Sequence, residues 1–587
     1  IAIIQKWAFG WNFEKFPASY REETIVNVLF IVVGAAGALL AAYFIYGGFL
    51  SRTVFRLDAA RPTPAMEMND GLDYVPANKG MLLGQHFSAI AAAGPINGPI
   101  LASVMFGWAP ALLWVLIGSI FIGGAHDMGT LVASIRHKAR SITEVIRVNV
   151  SNRAWFLFMV FVWIALVYVI IAFTDITASS FVGLVTLESG DIVSGGGIAA
   201  SSIMYLALPV MMGLLMRYAK LKEGPALLIF LPLVGVCIWA GQFMPLSLPI
   251  ADPAAAQKAW GILILGYCLV ASVIPMWALL QPRGALGGYF LYASLLVAAV
   301  GIVFGGYTVQ YPAFTKLGAT AAGGSFWFPM FPVLFITIAC GACSGFHALV
   351  SSGTTSKQLR TELDAKPVGY GAMLLEGMVA VVSIATVMIL AQDSRMISKA
   401  PNFIYAAGIG KFMELLGVSA TFGITFGLMA FTTFVYDTLD VCTRLGRYIV
   451  EELTGLKDWK GKALGTALTA GVPVFFIFQT MTDARGNTVP VWKLYWGTFG
   501  ASNQLLAGLA LIGVTIWLVN SRKGSRVWLA AFIPALVMFT LANWALLLDV
   551  YNGWVLKKGH PSIPWISALL IVLSLLVAVE TAYSYFS

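Results

Sequence analysis

Charge is scarce in this 587-residue chain: 11% of its residues are Asp, Glu, Lys or Arg, and 59% are hydrophobic. The mean hydropathy is +0.84, and soluble globular proteins do not approach this combination. Because the bilayer core holds no water to bond open N–H and C=O groups, only α-helices and closed β-barrels span it. Long unbroken apolar runs lack the alternation of barrel strands. The sequence therefore predicts an all-α polytopic membrane protein surrounded by the lipid bilayer.

Cysteine and histidine are also scarce, with five of each. The cysteines all lie in or at the edge of apolar runs, where a disulfide scaffold is not expected: Cys237, Cys268, Cys340, Cys343 and Cys442. The sequence contains no H-E-x-x-H and no G-x-x-x-x-G-K-[ST] motif. Zinc proteolysis and ATP hydrolysis lose their main support, and we expect neither an enzyme nor a cofactor.

The formal net charge of +9 is spread over short clusters between apolar runs, which indicates topology signals rather than a nucleic-acid partner. One set of loops is rich in Lys and Arg: Arg136 to Arg153, Arg217 to Lys222, Arg283, Lys357 and Arg360, Arg444 to Lys462, and Arg522 to Arg526. Loops 186–197, 242–257 and 305–328 hold at most one basic residue each. This alternation predicts an external N-terminus and an internal C-terminus, with Lys557 and Lys558 as exceptions.

Apolar runs of about 20 residues, the length that crosses the bilayer, predict about 15 transmembrane helices. They lie near 25–50, 85–105, 109–134, 154–182, 199–217, 225–244, 258–281, 285–308, 329–353, 368–391, 416–440, 464–481, 496–520, 527–548 and 563–586. The longest hydrophilic stretch, 51–84, is too short to bury a core of its own. We expect residues 1–587 to form a single transmembrane transporter domain with no soluble domain.

One apolar run, residues 84–105, contains Gly94, Pro95, Gly98 and Pro99 in close succession. Proline lacks an amide hydrogen and glycine tolerates non-helical dihedral angles, so we predict a first broken helix here. Open backbone inside a membrane protein can hold a carboxylate or a cation. The alternative is a proline-kinked helix whose glycines allow close packing.

A second run, residues 329–355, has the same small, hydroxyl-rich character and is predicted to form a second broken helix. Its Phe346–Gly353 aligns without gaps on Phe87–Gly94, with Phe, Ala and Gly identical. By the charge rule the two runs cross in opposite senses, as a LeuT/APC-like inverted repeat requires; chance similarity is the alternative. We expect the substrate-binding residues to be His86, Ser88, Gly94, Asn97, Gly98, His347, Ser351, Ser352 and Thr354.

Ionisable side chains within apolar runs are candidates for proton coupling, because charge inside lipid is costly. Asp127, Asp175 and Glu376 lie well inside their spans, where a carboxyl group can bind and release a proton. The alternative for each is a structural ion pair, which for Asp437 would involve Arg444.

A metal site is a further alternative, because Cys340, Cys343 and His347 share one helical face at i, i+3 and i+7. His126 and Asp127 could supply further ligands to a membrane-embedded metalloenzyme. Spacing alone brings only three ligands to that face, and we expect no bound metal.

Several motifs together resemble the carbon starvation protein A family of bacterial and archaeal membrane transporters. They are Gly84 to Pro99, Pro110 to Trp114, Gly124 to Asp127, Arg140 to Glu144, Ser352 to Thr355, Tyr436 to Asp440 with Arg444, and Trp496 to Ala507. The resemblance implies a transporter of the amino acid, polyamine and organocation (APC) superfamily. Members of the family are linked to uptake of peptides, or of pyruvate with protons, during nutrient limitation; the resemblance does not identify the binding residues.

We therefore expect a secondary active transporter in the bacterial or archaeal cytoplasmic (inner) membrane. Its substrate would be a short peptide or a small carboxylate such as pyruvate, imported by proton symport with alternating access. Na⁺ is the alternative coupling ion. A passive channel or pore for a small solute is an alternative from another class.

Overall fold

The structure, a computed structural model, describes residues 26–71, 74–186, 192–275, 277–315, 318–320, 327–456, 458–479 and 490–586. In this part of the chain the first eleven α-helices are α1 (Val28–Phe44), α2 (Tyr46–Phe49), α3 (Pro64–Glu67), α4 (Lys79–Ile90), α5 (Gly94–Phe106), α6 (Trp108–Ile117), α7 (Gly124–Arg136), α8 (Ile142–Asn149), α9 (Asn152–Val182), α10 (Gly195–Tyr218) and α11 (Glu223–Phe243). The next eleven are α12 (Pro253–Val273), α13 (Leu280–Phe304), α14 (Met330–Thr337), α15 (Phe346–Gly353), α16 (Ala372–Met388), α17 (Pro401–Glu414), α18 (Ala420–Thr454), α19 (Trp459–Phe478), α20 (Val491–Ser521), α21 (Leu529–Val550) and α22 (Ser562–Phe586).

The described strands form two antiparallel pairs outside the helices. They are β1 (Leu184–Thr186) with β2 (Ile192–Ser194), and β3 (Gly318–Thr320) with β4 (Trp327–Pro329). Four stretches are π-helical and extend neighbouring α-helices: Leu50–Val54, Gly118–Gly123, Lys366–Gly371 and Tyr551–Val555. The second of these leads directly into α7, which carries Asp127.

Thirteen helices or joined helical stretches of the described chain are long and apolar enough to cross a membrane. The bent pair α4 and α5 would add a fourteenth. The prediction of a helical membrane protein is confirmed, while the number predicted from sequence was about fifteen. The difference arises at 329–353, where α14 and α15 have eight residues each and neither reaches the roughly 20 that a span needs.

The centre of the molecule is built from α16, α18 and α20. In the most apolar windows of these three spans 83–89% of residues are buried, compared with 22% for the span that begins with α1. Outer helices expose large apolar side chains such as Phe30 and Leu228, which suits contact with lipid. Helices α16, α18 and α20 therefore present the surfaces on which an internal site can form.

Glycines let the inner helices approach closely. On α13, Gly284, Gly287 and Gly288 face Gln85, Ser88 and Gly84 of α4, and a methyl group on any of the three would overlap α4. Small residues at such contacts are typical of membrane helix packing. This contact fixes α4, the first half of the first broken segment, against α13.

The sequence did not predict α17 (Pro401–Glu414), which has 14 residues and lies between α16 and α18. It is too short for a full span and contains Lys411 and Glu414. Its position depends on close packing, because Gly423 and Gly427 of α18 contact its Gly410 and Ala406. Hydropathy does not detect a short helix of this kind, because tertiary packing rather than its own apolar length stabilises it.

Three arginines assigned to internal loops from the sequence lie inside helices instead. Arg283 belongs to α13 and is fully buried, and Arg444 and Arg447 lie in α18 with 5% and 4% exposure. Arg444 donates to two carbonyl oxygens at the C-terminal end of α12, so the alternative of a structural pair between Asp437 and Arg444 is wrong, and Asp437 contacts Arg283 instead. The charge rule fails here because a buried arginine with carboxylate or carbonyl partners has the same sequence signature as a loop arginine.

Candidate functional site

The two segments predicted to be broken are both interrupted, and they touch each other. Helix α4 ends at Ile90 and α5 begins at Gly94, with a bend of 46°. In the second segment, residues 338–345 separate α14 from α15. A methyl group at Gly94 would overlap Cys340, and one at Gly98 would overlap the Thr337 carbonyl oxygen. The absence of side chains at both glycines lets α5 lie directly against the second interruption.

The eight-residue similarity between the segments does not align their interruptions. Phe87 to Ile90 lie before the first interruption, whereas the whole of Phe346–Gly353 lies after the second, as α15. The gapless match therefore pairs different parts of the two segments and gives an inverted repeat no support.

Asn503 of α20 completes the backbone bonding at the start of α15. Its Oδ1 accepts from the Phe346 amide at 3.0 Å, and its Nδ2 donates to the Ser344 hydroxyl at 3.0 Å. The Gly345 amide donates to the Asn503 carbonyl at 3.1 Å. Amides at a helix start have no partner within the helix, and water is absent in a bilayer, so a side chain supplies the acceptor.

The carbonyl groups at the end of α14 are bonded in the same way by neighbouring helices. The donors are Gln504 Nε2 to Phe335 at 2.6 Å, Trp496 Nε1 to Thr337 at 3.4 Å, and Trp114 Nε1 to Ile338 at 3.3 Å. Trp496, Gln504 and Asn503 belong to the 496–507 motif, for which the sequence indicated no role. The structure gives that motif a role: it bonds the open backbone of the second segment.

Replacing Asn503 with alanine should destabilise the protein, because the Phe346 amide and the Ser344 hydroxyl lose their partner in a buried setting. Each buried group left unbonded costs about 1–3 kcal/mol. Thermal unfolding of the purified protein in detergent measures the loss. Asn520→Ala, an exposed position on the same helix, is the matched control and should change stability by less than about 0.5 kcal/mol. Equal unfolding temperatures for the two variants would contradict the role of the Asn503 amide.

The contact between the segments predicts a specific rescue. Gly94→Ala should be destabilising and Cys340→Gly should relieve it, because the new methyl group overlaps the Cys340 side chain. Gly98→Ala meets a backbone carbonyl that no side-chain change removes, so it should keep an overpacking cost of about 1–3 kcal/mol.

Gly235→Ala in α11, where an added methyl group meets open space, is the control for these glycine variants and should be neutral or more stable by up to about 1 kcal/mol. Thermal unfolding and folded yield measure all of them. If Gly94→Ala were as stable as Gly235→Ala, the two broken segments would not be in contact at Gly94.

A row of acid and base side chains crosses three helices beside the interruptions. His126 and Asp127 lie on α7, His347 on α15 and Glu376 on α16, and all four are fully buried. Nδ1 of His126 lies 2.7 Å from one Asp127 oxygen, and Nδ1 of His347 lies 2.8 Å from the other. Nε2 of His347 lies 3.2 Å from Oε2 of Glu376. We call these four residues the acid-base row.

The two ends of the acid-base row carry unpaired atoms. The contact between His347 and Glu376 is close but not aligned as a hydrogen bond, and among the described residues neither Glu376 oxygen has a hydrogen-bond partner. Nε2 of His126 has none either. Ionising a carboxyl group that is buried without donors is expensive. The geometry suits a group that gains and loses a proton as its surroundings change.

A second charged group surrounds Arg283 of α13. The guanidinium contacts the carboxylates of Asp437 and Asp440, one turn apart on α18, and the hydroxyl of Tyr267 on α12. Its Nε lies 2.8 Å from Asp437, an ionic contact without hydrogen-bond alignment. The Ser88 hydroxyl of α4 donates to Asp437, and Tyr267 donates to Asp440 at 2.9 Å. We call these five residues the arginine cluster; when both aspartates are ionised, it carries one more negative than positive charge.

A small cavity lies between α4, α13, α15 and α18. Its polar lining consists of Gln85, His86, Thr354, Thr355 and Asp437, so it borders the arginine cluster. Nδ1 of His86 lies 2.8 Å from the Thr355 hydroxyl and connects α4 to the turn after α15. The free volume of about 10 Å³ has room for roughly one water molecule. An organic solute would fit in this cavity only if the surrounding helices moved apart.

Three other predicted substrate residues lie on α5. Gly94 and Gly98 pack on the second segment, and the Asn97 amide donates to the Ala93 carbonyl at 2.9 Å. The amides expected to hold a carboxylate are thus partly used within α5. The Asn97 side chain is different: it is fully buried, and neither of its polar atoms has a partner in the described chain.

The hydroxyl residues of α15, and Thr354 directly after it, differ in their bonding. Ser352 accepts from the Ile142 amide at 3.0 Å and donates to its own helix, and Thr354 donates to Val350 at 3.0 Å. These two side chains make structural bonds of the kind common in membrane helices. Ser351 is fully buried, and its hydroxyl has no partner among the described residues.

Asp175 lies on α9 and makes no contact with the other two coupling candidates. Its carboxylate accepts from Gln257 at 2.7 Å and from the Trp492 amide at 2.9 Å. Trp492 lies in the first turn of α20, where a negative charge is stabilised by the helix dipole. We interpret Asp175 as a cap of α20.

In the described part of the chain, the residues of the alternative metal site do not come together around one point. Cys340 and Cys343 are buried free thiols, and His347 contacts Asp127 and Glu376 instead. Among the described residues no three or more His, Cys, Asp or Glu side chains group as metal ligands.

Sequence reasoning missed Arg283, Asp440 and Asn503. The glycines at 284, 287 and 288 follow Arg283 at helical spacing, which indicates a packed helix rather than a loop. Asp437 and Asp440 lie at i and i+3 on one helical face and would require a buried cation. These two patterns could have identified the arginine cluster; Asn503 had no such signal.

Comparisons with known proteins agree with the resemblance noted in the sequence. The family model described as Carbon starvation protein CstA matches residues 27–404 and 393–545. A peptide transporter CstA of Campylobacter jejuni is 33% identical over 90% of this chain and 80% of its own length. The pyruvate/proton symporter BtsT of Escherichia coli is 29% identical over 90% and 82%.

Among solved structures, a mutant manganese transporter of Eremococcus coleocola aligns with 88% of this chain and 98% of its own. The identity is 13% and the TM-score 0.46, too low to support an argument about site or substrate. The sequence relatives, by contrast, span most of the chain and carry the names of transporters. The chain belongs to the carbon starvation protein CstA family.

Proposed function

We propose that the chain imports a small organic carboxylate or a short peptide together with a proton. The observation that carries this proposal is the acid-base row, which links α7, α15 and α16 and ends in a carboxyl group that has no hydrogen-bond partner among the described residues. Ionisable groups inside membrane proteins mark ion and substrate pathways. The relatives named as peptide transporters and as a pyruvate/proton symporter suggest the same class of cargo.

In this proposal Arg283 recognises the carboxylate of the cargo. A guanidinium binds carboxylates through paired hydrogen bonds, and two aspartates already occupy this one. When the cavity opens, a substrate carboxylate can take the place of Asp437 on the guanidinium. Asn97, Ser351 and His86 carry buried polar atoms without partners in the described chain and can complete the site.

The acid-base row carries the proton in this proposal. Asp127 joins the two histidines, and Glu376 is the terminal acceptor. We further propose that the segments α4–α5 and α14–α15, which touch at Gly94 and Cys340, are the paired broken helices of a LeuT/APC-like repeat. Counting α14–α15 as one broken span would raise the fourteen spans of the described chain to fifteen. The N-terminus would be outside and the C-terminus inside, and alternating access would separate α4 and α13 from α15 and α18.

Reconstitution into liposomes tests the function. Labelled pyruvate and labelled dialanine should accumulate above the external concentration only when the outside is more acidic. Preloading with unlabelled solute should drive labelled solute inward by counterflow, which a passive pore cannot do. Entry of solute without counterflow would show that the protein is a channel rather than a carrier. Accumulation driven only by a sodium gradient would show that Na⁺, not the proton, is the coupling ion.

A further inference from the structure

A wide basic cavity lies outside the proposed transport site, at the ends of three spans. Its volume is about 680 Å³, which would accommodate a bulky polar group. The span Val28–Val54 ends beside it, α7 ends at Arg136 and α20 ends at Ser521. Because these spans end together, the cavity lies at the level expected for phospholipid headgroups.

The walls of this cavity are strongly basic. Its charged lining residues are Arg56, Arg61, Arg136, Lys138, Arg522 and Glu67. Glu362 lies alongside and accepts from Arg61 at 3.1 Å and from Arg136 at 2.8 Å. Among the described residues, no carboxylate lies within 4.0 Å of the Arg56, Lys138 or Arg522 side chains. Three positive charges therefore share the cavity without paired carboxylates.

Two further observations indicate that these cations are held together at a structural cost. Partial burial and the neighbouring guanidinium groups of Arg56, Arg136 and Arg61 lower the pKa of Arg522. Arg56 and Lys138 both have left-handed backbone conformations, with φ of 47° and 59°. Such strain in residues other than glycine is concentrated at ligand clamps. An anion in the cavity would offset the repulsion between these cations.

We propose that this cavity binds a phosphate group, recognised mainly by Arg56 and Arg522 with Lys138. Guanidinium groups match phosphate oxygens in pairs, and basic pockets between membrane helices bind anionic headgroups. The phosphate can come from an anionic phospholipid or from a soluble phosphate compound. This site is separate from the proposed transport site and does not depend on the proposed cargo.

Binding to the purified, delipidated full-length chain tests the proposal. Calorimetry compares the binding of inorganic phosphate with that of chloride. Native mass spectrometry compares the binding of phosphatidylglycerol with that of phosphatidylcholine. The parent should bind phosphatidylglycerol or phosphate in preference to its comparison compound. Binding of phosphatidylglycerol without binding of inorganic phosphate assigns the site to lipid, and binding of inorganic phosphate without a preference for phosphatidylglycerol assigns it to a soluble compound.

The double variant Arg56→Gln with Arg522→Gln should weaken this binding by roughly tenfold or more. Lys523→Gln with Arg526→Gln removes the same charge from exposed positions outside the cavity and should leave affinity within about twofold. Arg522→Gln alone, at a partly exposed residue, gives a second test if the double variant folds poorly. Equal loss in the control pair, or no preference for either phosphate compound in the parent, would overturn the proposal.

Discussion

Replacing Glu376 with glutamine should abolish proton-driven accumulation and leave solute exchange intact. Glutamine keeps the size of the side chain but cannot carry a titrating proton. One proton crossing a gradient of one pH unit supplies about 1.4 kcal/mol, or roughly tenfold accumulation. The variant should reach a concentration ratio of about one in the same liposomes. Counterflow should continue at a rate near that of the parent, because the Arg283 site is unchanged.

Glu414→Gln is the matched control for this experiment. It makes the same chemical change at an exposed position at the end of α17 and should accumulate solute like the parent. Equal accumulation by Glu376→Gln and Glu414→Gln would remove Glu376 from the coupling mechanism. Loss of counterflow together with accumulation would assign Glu376 to substrate binding instead.

Replacing Arg283 with glutamine should have the largest effect on stability. Asp437 and Asp440 would remain buried at 4% and 1% exposure without their cation. Removing one partner of a buried ion pair typically costs about 3–5 kcal/mol. We expect a low yield of folded protein and a strong drop in its unfolding temperature in detergent.

Neutralising the partners separates this structural effect from the proposed transport role. Arg283→Gln combined with Asp437→Asn and Asp440→Asn removes the uncompensated charge and should recover most of the folded yield. The recovered protein should still fail to bind or exchange pyruvate, because the guanidinium is absent. Exchange at the parental rate in this triple variant would contradict carboxylate recognition by Arg283. Its unfolding temperature would still test whether the arginine cluster stabilises the fold.

The membrane helices could be predicted because their signal is local. A run of about 20 apolar residues has few alternatives to a span, and most predicted spans match helices within a few residues. The two interruptions could be predicted for a related reason, since glycine, proline and hydroxyl residues cluster near both. The short α17 could not be predicted, because the residues that indicate its position are the glycines of α18 that pack against it.

The charged networks could be predicted only in part, because their members are far apart in the chain. Asp127 and His347 were both proposed from the sequence, but for different roles; 220 positions separate them. Asp175 looked equivalent to Asp127 in the sequence, and only the fold shows that it caps α20. Arg283 was missed because charge counting assigns an arginine near a polar stretch to a loop, whereas two buried carboxylates can hold it within the helices.

The Asn503 cap also constrains how the protein is made. Ser344 and Asn503 are separated by 159 positions, and ribosomes add about 5–20 residues per second, so roughly 8–30 s pass between their synthesis. During that interval the Ser344 hydroxyl and the Phe346 amide lack the Asn503 side chain as a partner, and unpaired peptide groups are costly inside a membrane. The start of α15 can therefore reach the bonding described above only after α20 has been made, so the second interruption depends on one of the last helices of the chain.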